Sequence, residues 1–376
     1  MANSVECKVD KVSSDRITAL RFPLIVLVVF IHAFSSAIYT GDQALLHTTG
    51  HGVDYYIRYA GSTIIARIAV PLYFVLAGYL LQLGVQLSWR AYREKIKNRV
   101  GTLLVPHLFW TTLTVVLYLA LEFLPGSAGL FSGSNRRVSD YSLFDFFNAV
   151  LGITQAPNAY QFWFTRNLMV LVLLWPVLWW ALKLSRLFLI LPIAIIWFSG
   201  LFPAQEYMLS STLFFLCGVA LAMRGMSLFA TDRFGPWIVA AYAVAIAADL
   251  LSLDTPWYRP LHNATILLGC LSALFLTRFS LMSPGVSRVL TTLAPASFFV
   301  FAAHEPLLTL VRRVVYRVVR PDDSLTLIAI YLAVPTLLIA MLLACYFAMM
   351  RFAPTLLSFA TGARTKRSPR SLLPAE

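Results

Sequence analysis

Residues 17–37 read ITALRFPLIVLVVFIHAFSSA, a run broken only by Arg21 and His32 among apolar and small side chains. About 20 mostly apolar residues suffice to cross the hydrocarbon core of a bilayer as a helix, so the run reads as a membrane span. A small-x-small pattern at Ala33 and Ser35 would also suit a cleaved leader, but comparable runs follow near 61–83, 100–124, 162–182, 187–202, 209–223, 236–253, 262–277, 290–311 and 325–350. The first run is therefore read as an uncleaved span. The expected fold is all-α: a polytopic membrane protein of about ten transmembrane helices with both termini cytoplasmic. Its divisions are a cytoplasmic segment 1–16, a transmembrane domain 17–350 and a basic cytoplasmic tail 351–376.

Composition agrees. Of 376 residues 59% are hydrophobic and 12% charged, where a soluble domain would be about a quarter charged, and little length is left over for a soluble domain. Cys7, Cys217, Cys270 and Cys345 form no CxxC pair and suggest neither a disulfide framework nor a zinc site. No GxSxG, GxGxxG, Walker or HExxH pattern occurs, which removes support for the common hydrolase, dinucleotide and zinc-protease chemistries. With the termini inside, 20 of the 30 Lys and Arg residues fall on the cytoplasmic side, as the positive-inside rule requires. The net charge of +13 thus reflects topology and does not call for nucleic acid. Arg312, Arg313, Arg317 and Arg320 break the pattern, clustering on the expected outer side.

Ionisable groups inside spans are costly and mark functional candidates. Arg21 and His32 are eleven residues apart, about three helical turns and roughly 16 Å of rise, so they share a helix face at different depths. The alternative is a snorkelling anchor and an interhelical hydrogen-bonding histidine. The second span carries Arg67. The fourth opens with YQFWFTRNL, bringing Trp163, Arg166 and Asn167, which an interfacial aromatic belt would explain in part. The ninth carries His304 and Glu305 before Pro306, where an ion pair at a kinked helix is the plain alternative. Counted from the inner ends, His32 and His304 rise about 21 to 22 Å, while Arg67 and Arg166 lie about 6 to 9 Å below the outer edge. One layer holds them all, which argues for a polar cavity in the outer half.

On the inner side WRAYREKIKNRVGTLLVPHLFW packs Arg90, Arg93, Lys95, Lys97 and Arg99 into ten residues. It is either a topogenic loop or a site for a polyphosphate nucleotide or anionic headgroup. His47 and His51 with Asp54 have a chelating spacing, but Gly50 and Gly52 interrupt any helix there, and no metal is expected. The outer loop 125–160 contains YSLFDFFNAVLG and is expected to form a partly helical lid.

In their order along the chain, several of these stretches resemble the acyltransferase-3 family of integral membrane acyltransferases. They are Arg21 with His32 eleven residues on; VPLYFVLAGYLL after Arg67; Arg90 and Arg93 leading to Val105-Pro106; FWFTRNLMVL; FFLCGVAL; and SFFVFAAHEPLL. The chain departs from the family pattern with Ala77 before Gly78 and His107 after Pro106, and it is expected to be without the extra span and esterase domain of some members. The resemblance implies a stand-alone membrane O-acyltransferase of the bacterial inner membrane. It would move an acyl group, acetyl by expectation, from cytoplasmic acyl-CoA to a hydroxyl of an exopolysaccharide, lipopolysaccharide or other surface or lipid-linked glycan. No permanently bound cofactor is implied, and the implied partners are membrane lipids and proteins of a glycan-assembly pathway. On this reading His32 and Arg21 are catalytic; Arg21, Arg90, Arg93, Lys97 and Arg99 hold the donor; and Arg67, Trp163, Arg166, Asn167, His304 and Glu305 line the acceptor end. His32 could serve as general base or carry the acyl group itself. The competing class is a transporter or flippase of a glycan or lipid-linked intermediate, which should show inverted repeats; none is evident.

Overall fold

The computed structural model describes residues 10–35, 37–40, 43–47, 52–125 and 136–362, those between 37 and 47 by backbone alone. Helices dominate, because a lipid-embedded backbone must satisfy its own hydrogen bonds. In chain order they are α1 Lys11–Ile31, α2 Val53–Gln82, α3 Trp89–Glu122, α4 Leu143–Leu151, α5 Tyr160–Leu173, α6 Trp175–Leu184, α7 Arg186–Ser199, α8 Pro203–Met223, α9 Asp232–Leu251, α10 Tyr258–Ser280, α11 Pro284–Val319, α12 Ser324–Phe352 and α13 Pro354–Thr361. Between α1 and α2 lies one antiparallel hairpin, β1 Ala37–Thr40 with β2 Gln43–His47, which the apolar runs do not announce.

Among the described residues seven helices are long and apolar enough to cross a membrane: α2, α3, α8, α9, α10, α11 and α12. The α5–α6 pair is an eighth candidate, bent by 62° where Pro176 opens α6 without an N–H to continue the ladder. The two remaining expected spans correspond to α1, whose first turns carry Asp15, Arg16 and Arg21, and α7, which has only 14 residues. The basic stretch 90–99 is not a loop. It forms the first turns of α3, joined to the apolar part through a π-turn at Val100–Leu104.

Contacts divide the chain into two units. The first comprises Met1–Val28, Thr63–Asn98 and Asn167–Ala294. Its tightest crossing is α2 on α8. A Cβ on Gly78 would stand 2.2 Å from the Phe215 carbonyl oxygen, and one on Gly218 would stand 2.1 Å from that of Val75, so two backbones touch where small residues allow it. Arg16 is buried in the same unit. Its guanidinium meets Asp232 at 2.5 and 3.1 Å, donates to the Leu274 carbonyl and the Thr277 hydroxyl, and lies 3.6 Å from the Phe229 ring centroid. Asp249 on α9 and His262 on α10 form a second buried pair at 2.9 Å.

The second unit comprises Val29–Ser62, Arg99–Arg166 and Pro295–Glu376. Arg58 and Asp54 pair within it at 2.5 Å, and Ser324 adds a hydroxyl to the same carboxylate. The stretch 125–160 does contain a helix, α4, started by a capping box between Ser142 and Asp145 and stopped by Gly152 at φ +70. Ala149 and Val150 of α4 pack on Val115 of α3. His107, fully buried, ties the two by bonding the Val150 carbonyl and the Thr165 hydroxyl. Residues 126–135 of the expected lid lie outside the described residues, as do His51 and the tail beyond 362.

Candidate active site

The site is built on a break in α11. Pro306 disfavours α-helical geometry at the residue before it, and Glu305 accordingly takes φ −110, ψ 140, dividing the helix in two. The break brings Glu305 into the interior, where it is 2% exposed. Its Oε1 accepts from the Tyr160 hydroxyl at 2.9 Å and from Thr309 Oγ1 at 3.0 Å, and Thr309 N–H lies 3.4 Å from Oε2. This is the set of donors an acceptor-only carboxylate uses. Beside it His304, fully buried, donates from Nδ1 to the Phe301 carbonyl at 2.6 Å, and its Nε2 is buried without a hydrogen-bond partner among the described residues. Gln161, next to Tyr160, donates to the carbonyls of Ala302 and Glu305.

His32 comes to this cluster from the end of α1. The last carbonyls of a helix lack intrahelical donors and attract cations. Arg312 meets that need, donating from Nη1 to the His32 carbonyl at 2.8 Å and the Ala33 carbonyl at 3.0 Å. The His32 ring is half-buried, stacked on His304 with centroids 5.4 Å apart and set edge-on to Tyr160 at 5.0 Å. His32 Nδ1 lies 3.2 Å from the Tyr160 hydroxyl. That hydroxyl has a single proton and gives it to Glu305, so on the His32 side it accepts. With Tyr160 donating to Glu305 in this way, the arrangement suits an imidazole that holds its proton on Nδ1 and its lone pair on Nε2. A carboxylate that orients a histidine through an intervening hydroxyl, leaving the far nitrogen basic, is an arrangement chemically able to serve a general base.

The other residues singled out from the sequence are distributed as follows. In the second unit, Arg166 donates to the carbonyls of Gly152 at 2.7 Å and Gln155 at 3.3 Å, fastening the turn after α4; Trp163 is half-buried on α5. In the first unit, Asn167 is buried and donates to Ser211 at 3.2 Å, and Arg67 lies over the Tyr207 ring at 5.7 Å. Arg21 is exposed on α1, its carbonyl accepting from Tyr73. Arg90, Arg93 and Lys97 stand exposed on the first turns of α3, with Arg90 beside Glu94, and Arg99 is half-buried. The structure thus gathers His32, His304 and Glu305 and adds Tyr160, Gln161, Thr309 and Arg312, which the sequence reading does not single out as site residues. Two signals were present: Tyr160 opens the YQFWFTRNL stretch, and Arg312 heads the cluster that defies the positive-inside rule.

A family model described as an acyltransferase domain, acyltransferase-3, matches residues 14–350. The chain is similar to the succinoglycan biosynthesis protein ExoH of Rhizobium meliloti (strain 1021), 27% identical over 363 residues that cover 94% of this chain and 93% of that protein. No solved structure matches.

Proposed function

The chain belongs to the acyltransferase-3 family, an integral membrane acyltransferase for groups other than amino-acyl groups, and from that premise we propose that it O-acylates a surface glycan from acyl-CoA. The observation that carries the mechanism is the line from His32 through Tyr160 to Glu305. His32 Nε2 takes the proton of an acceptor hydroxyl as its oxygen attacks the thioester carbonyl carbon. The C–O bond forms, the C–S bond breaks, and the proton passes from His32 to the departing CoA sulfur. Positive charge arising on the imidazole is stabilised through Tyr160 by the Glu305 carboxylate. Such a base typically contributes about 10² to 10⁴ in rate.

The donor reading rests on cations of α1 and α3. Arg21 on α1 and Arg90, Arg93 and Lys97 of α3, in the first unit, and Arg99, in the second, are each able to offer charge-assisted bonds to CoA phosphates. The acyl group is taken to be acetyl. A glycan acceptor is supported by the similarity to a succinoglycan biosynthesis protein, with Trp163 as a stacking face for a sugar ring. Placement in the bacterial inner membrane, facing cytoplasmic donor, completes the proposal. Purified protein in lipid, given radiolabelled acyl-CoAs of increasing length and charge with glycan fractions, should transfer label to glycan. Absence of transfer from every donor to every glycan would overturn the reading.

A further inference from the structure

Gln161 is 1% exposed and takes no part in the chemistry above, yet it is bound to the feature that builds the site. Pro306 has no N–H, so the carbonyl of Ala302, four residues earlier, has no helical donor. Gln161 Nε2 supplies one at 3.2 Å and reaches the Glu305 carbonyl at 3.0 Å. A carboxamide has two N–H bonds, and both are spent on the broken turn. These contacts also fix which end of the amide faces the turn, since two carbonyls can be met only by nitrogen. Gln161 Oε1 is left buried without a hydrogen-bond partner among the described residues. An apolar side chain of the same size would leave no orphan acceptor, so the amide is explained by its donors rather than by packing.

We propose that Gln161 is a positioning residue: it holds the broken turn of α11 so that the Glu305 carboxylate meets Tyr160, and thereby sets which nitrogen of His32 is basic. Tyr160 and Gln161, consecutive in sequence, grip one break from two sides, Tyr160 by the carboxylate and Gln161 by the backbone. The inference rests on His32 as the proton acceptor in acyl transfer.

The test compares Gln161→Leu, Tyr160→Phe, the double variant and His32→Ala in lipid, reading kcat for transfer, the apparent KM for acyl-CoA and the thermal midpoint. Gln161→Leu should lower kcat about tenfold to a hundredfold, within the range of lost acid–base assistance, and change the KM for acyl-CoA less than about twofold. If both residues act through the same carboxylate, the double variant is no more than about twofold slower than Tyr160→Phe alone, because groups that work as a unit are not additive. Should Gln161→Leu fail to assemble, Gln161→Met, which keeps length without donors, and Gln161→Glu, which keeps shape, decide by the same criterion. Losses that multiply in the double variant, an unchanged kcat, or parallel loss of kcat, donor affinity and stability would overturn the proposal. Transfer retained by His32→Ala would instead overturn the reading beneath it, whatever Gln161 does.

Discussion

In the proposed mechanism, two hydrogen bonds on one hydroxyl set which nitrogen of His32 is basic. Tyr160 gives its proton to Glu305 and accepts from His32 Nδ1, so removing that oxygen leaves the imidazole stacked on His304 but no longer held in one tautomer. Tyr160→Phe is expected to lower transfer about tenfold to a hundredfold while donor affinity holds; kinetics within twofold of the parent would remove Tyr160 from the relay. His32→Ala should abolish transfer with expression and thermal stability near the parent, and retention of more than a tenth of the activity would exclude the base. His32, His304 and Glu305 were legible in the sequence because an ionisable group in an apolar run is conspicuous. Tyr160 and Gln161 were not, because their meaning comes from a contact with a helix more than 140 residues away. Tyrosine at the start of a span reads as an interfacial aromatic, and only the broken turn of α11 gives it a carboxylate to serve.

Helix by helix, the apolar runs located each long element, and what escaped them was local. Whether a basic stretch is loop or helix is not set by hydropathy, so the cations of α3 emerged as part of a continuous helix. The close approach of α2 and α8 is written only as Gly78 and Gly218. There a methyl group at Gly218 would meet the Val75 carbonyl oxygen at 2.1 Å and the Tyr79 nitrogen at 2.8 Å. Both are backbone atoms that cannot swing aside, and overpacking of this kind costs about 1–3 kcal/mol. Gly218→Ala should therefore lower the thermal midpoint in detergent; an unchanged midpoint would mean that the helices separate freely. α4 offers a pH test. Two hydrogen bonds with Ser142, and secondarily Arg136, hold the Asp145 carboxyl below its ordinary value. A depressed carboxyl stabilises fully above its unfolded pKa, about 3.9, and loses that contribution as pH falls through the lower folded value. Exchange of the first amides of α4 should stay slow to about pH 4 and accelerate only below it; acceleration already near pH 6 would assign the cap to another group.

For the whole molecule, charge carries an expectation of which face meets the cytoplasm, and that expectation can be checked. The cations that violated the positive-inside rule at 312–320 are partly accounted for by the site itself, since Arg312 is committed to the carbonyls of His32 and Ala33. Other cations on the proposed outer side face carboxylates: Arg58 with Asp54, Arg136 with Asp145 and Arg259 with Glu206. Arg93 and Lys97 on the first turns of α3 are exposed, and exposed Lys and Arg close to a span are what hold a segment in the cytoplasm. The first turns of α3 are thus expected inside and the α4 segment outside. In a variant lacking Cys7, Cys217, Cys270 and Cys345, a cysteine at exposed Ser139 should react with an impermeant thiol reagent on intact cells. One at exposed Gln86 should react only after the membrane is opened. The opposite pattern would put the α3 cations outside, away from cytoplasmic CoA, and would separate Arg90, Arg93 and Lys97 from donor binding even if His32 proved essential. Arg90→Ala combined with Arg93→Ala is the matching kinetic probe. With the expected topology, it should raise the KM for acyl-CoA by more than about tenfold, since each charge-assisted bond lost costs about 1.5–3 kcal/mol, while kcat at saturating donor changes little. A fall in kcat at unchanged KM would instead make the first turns of α3 a topogenic element alone.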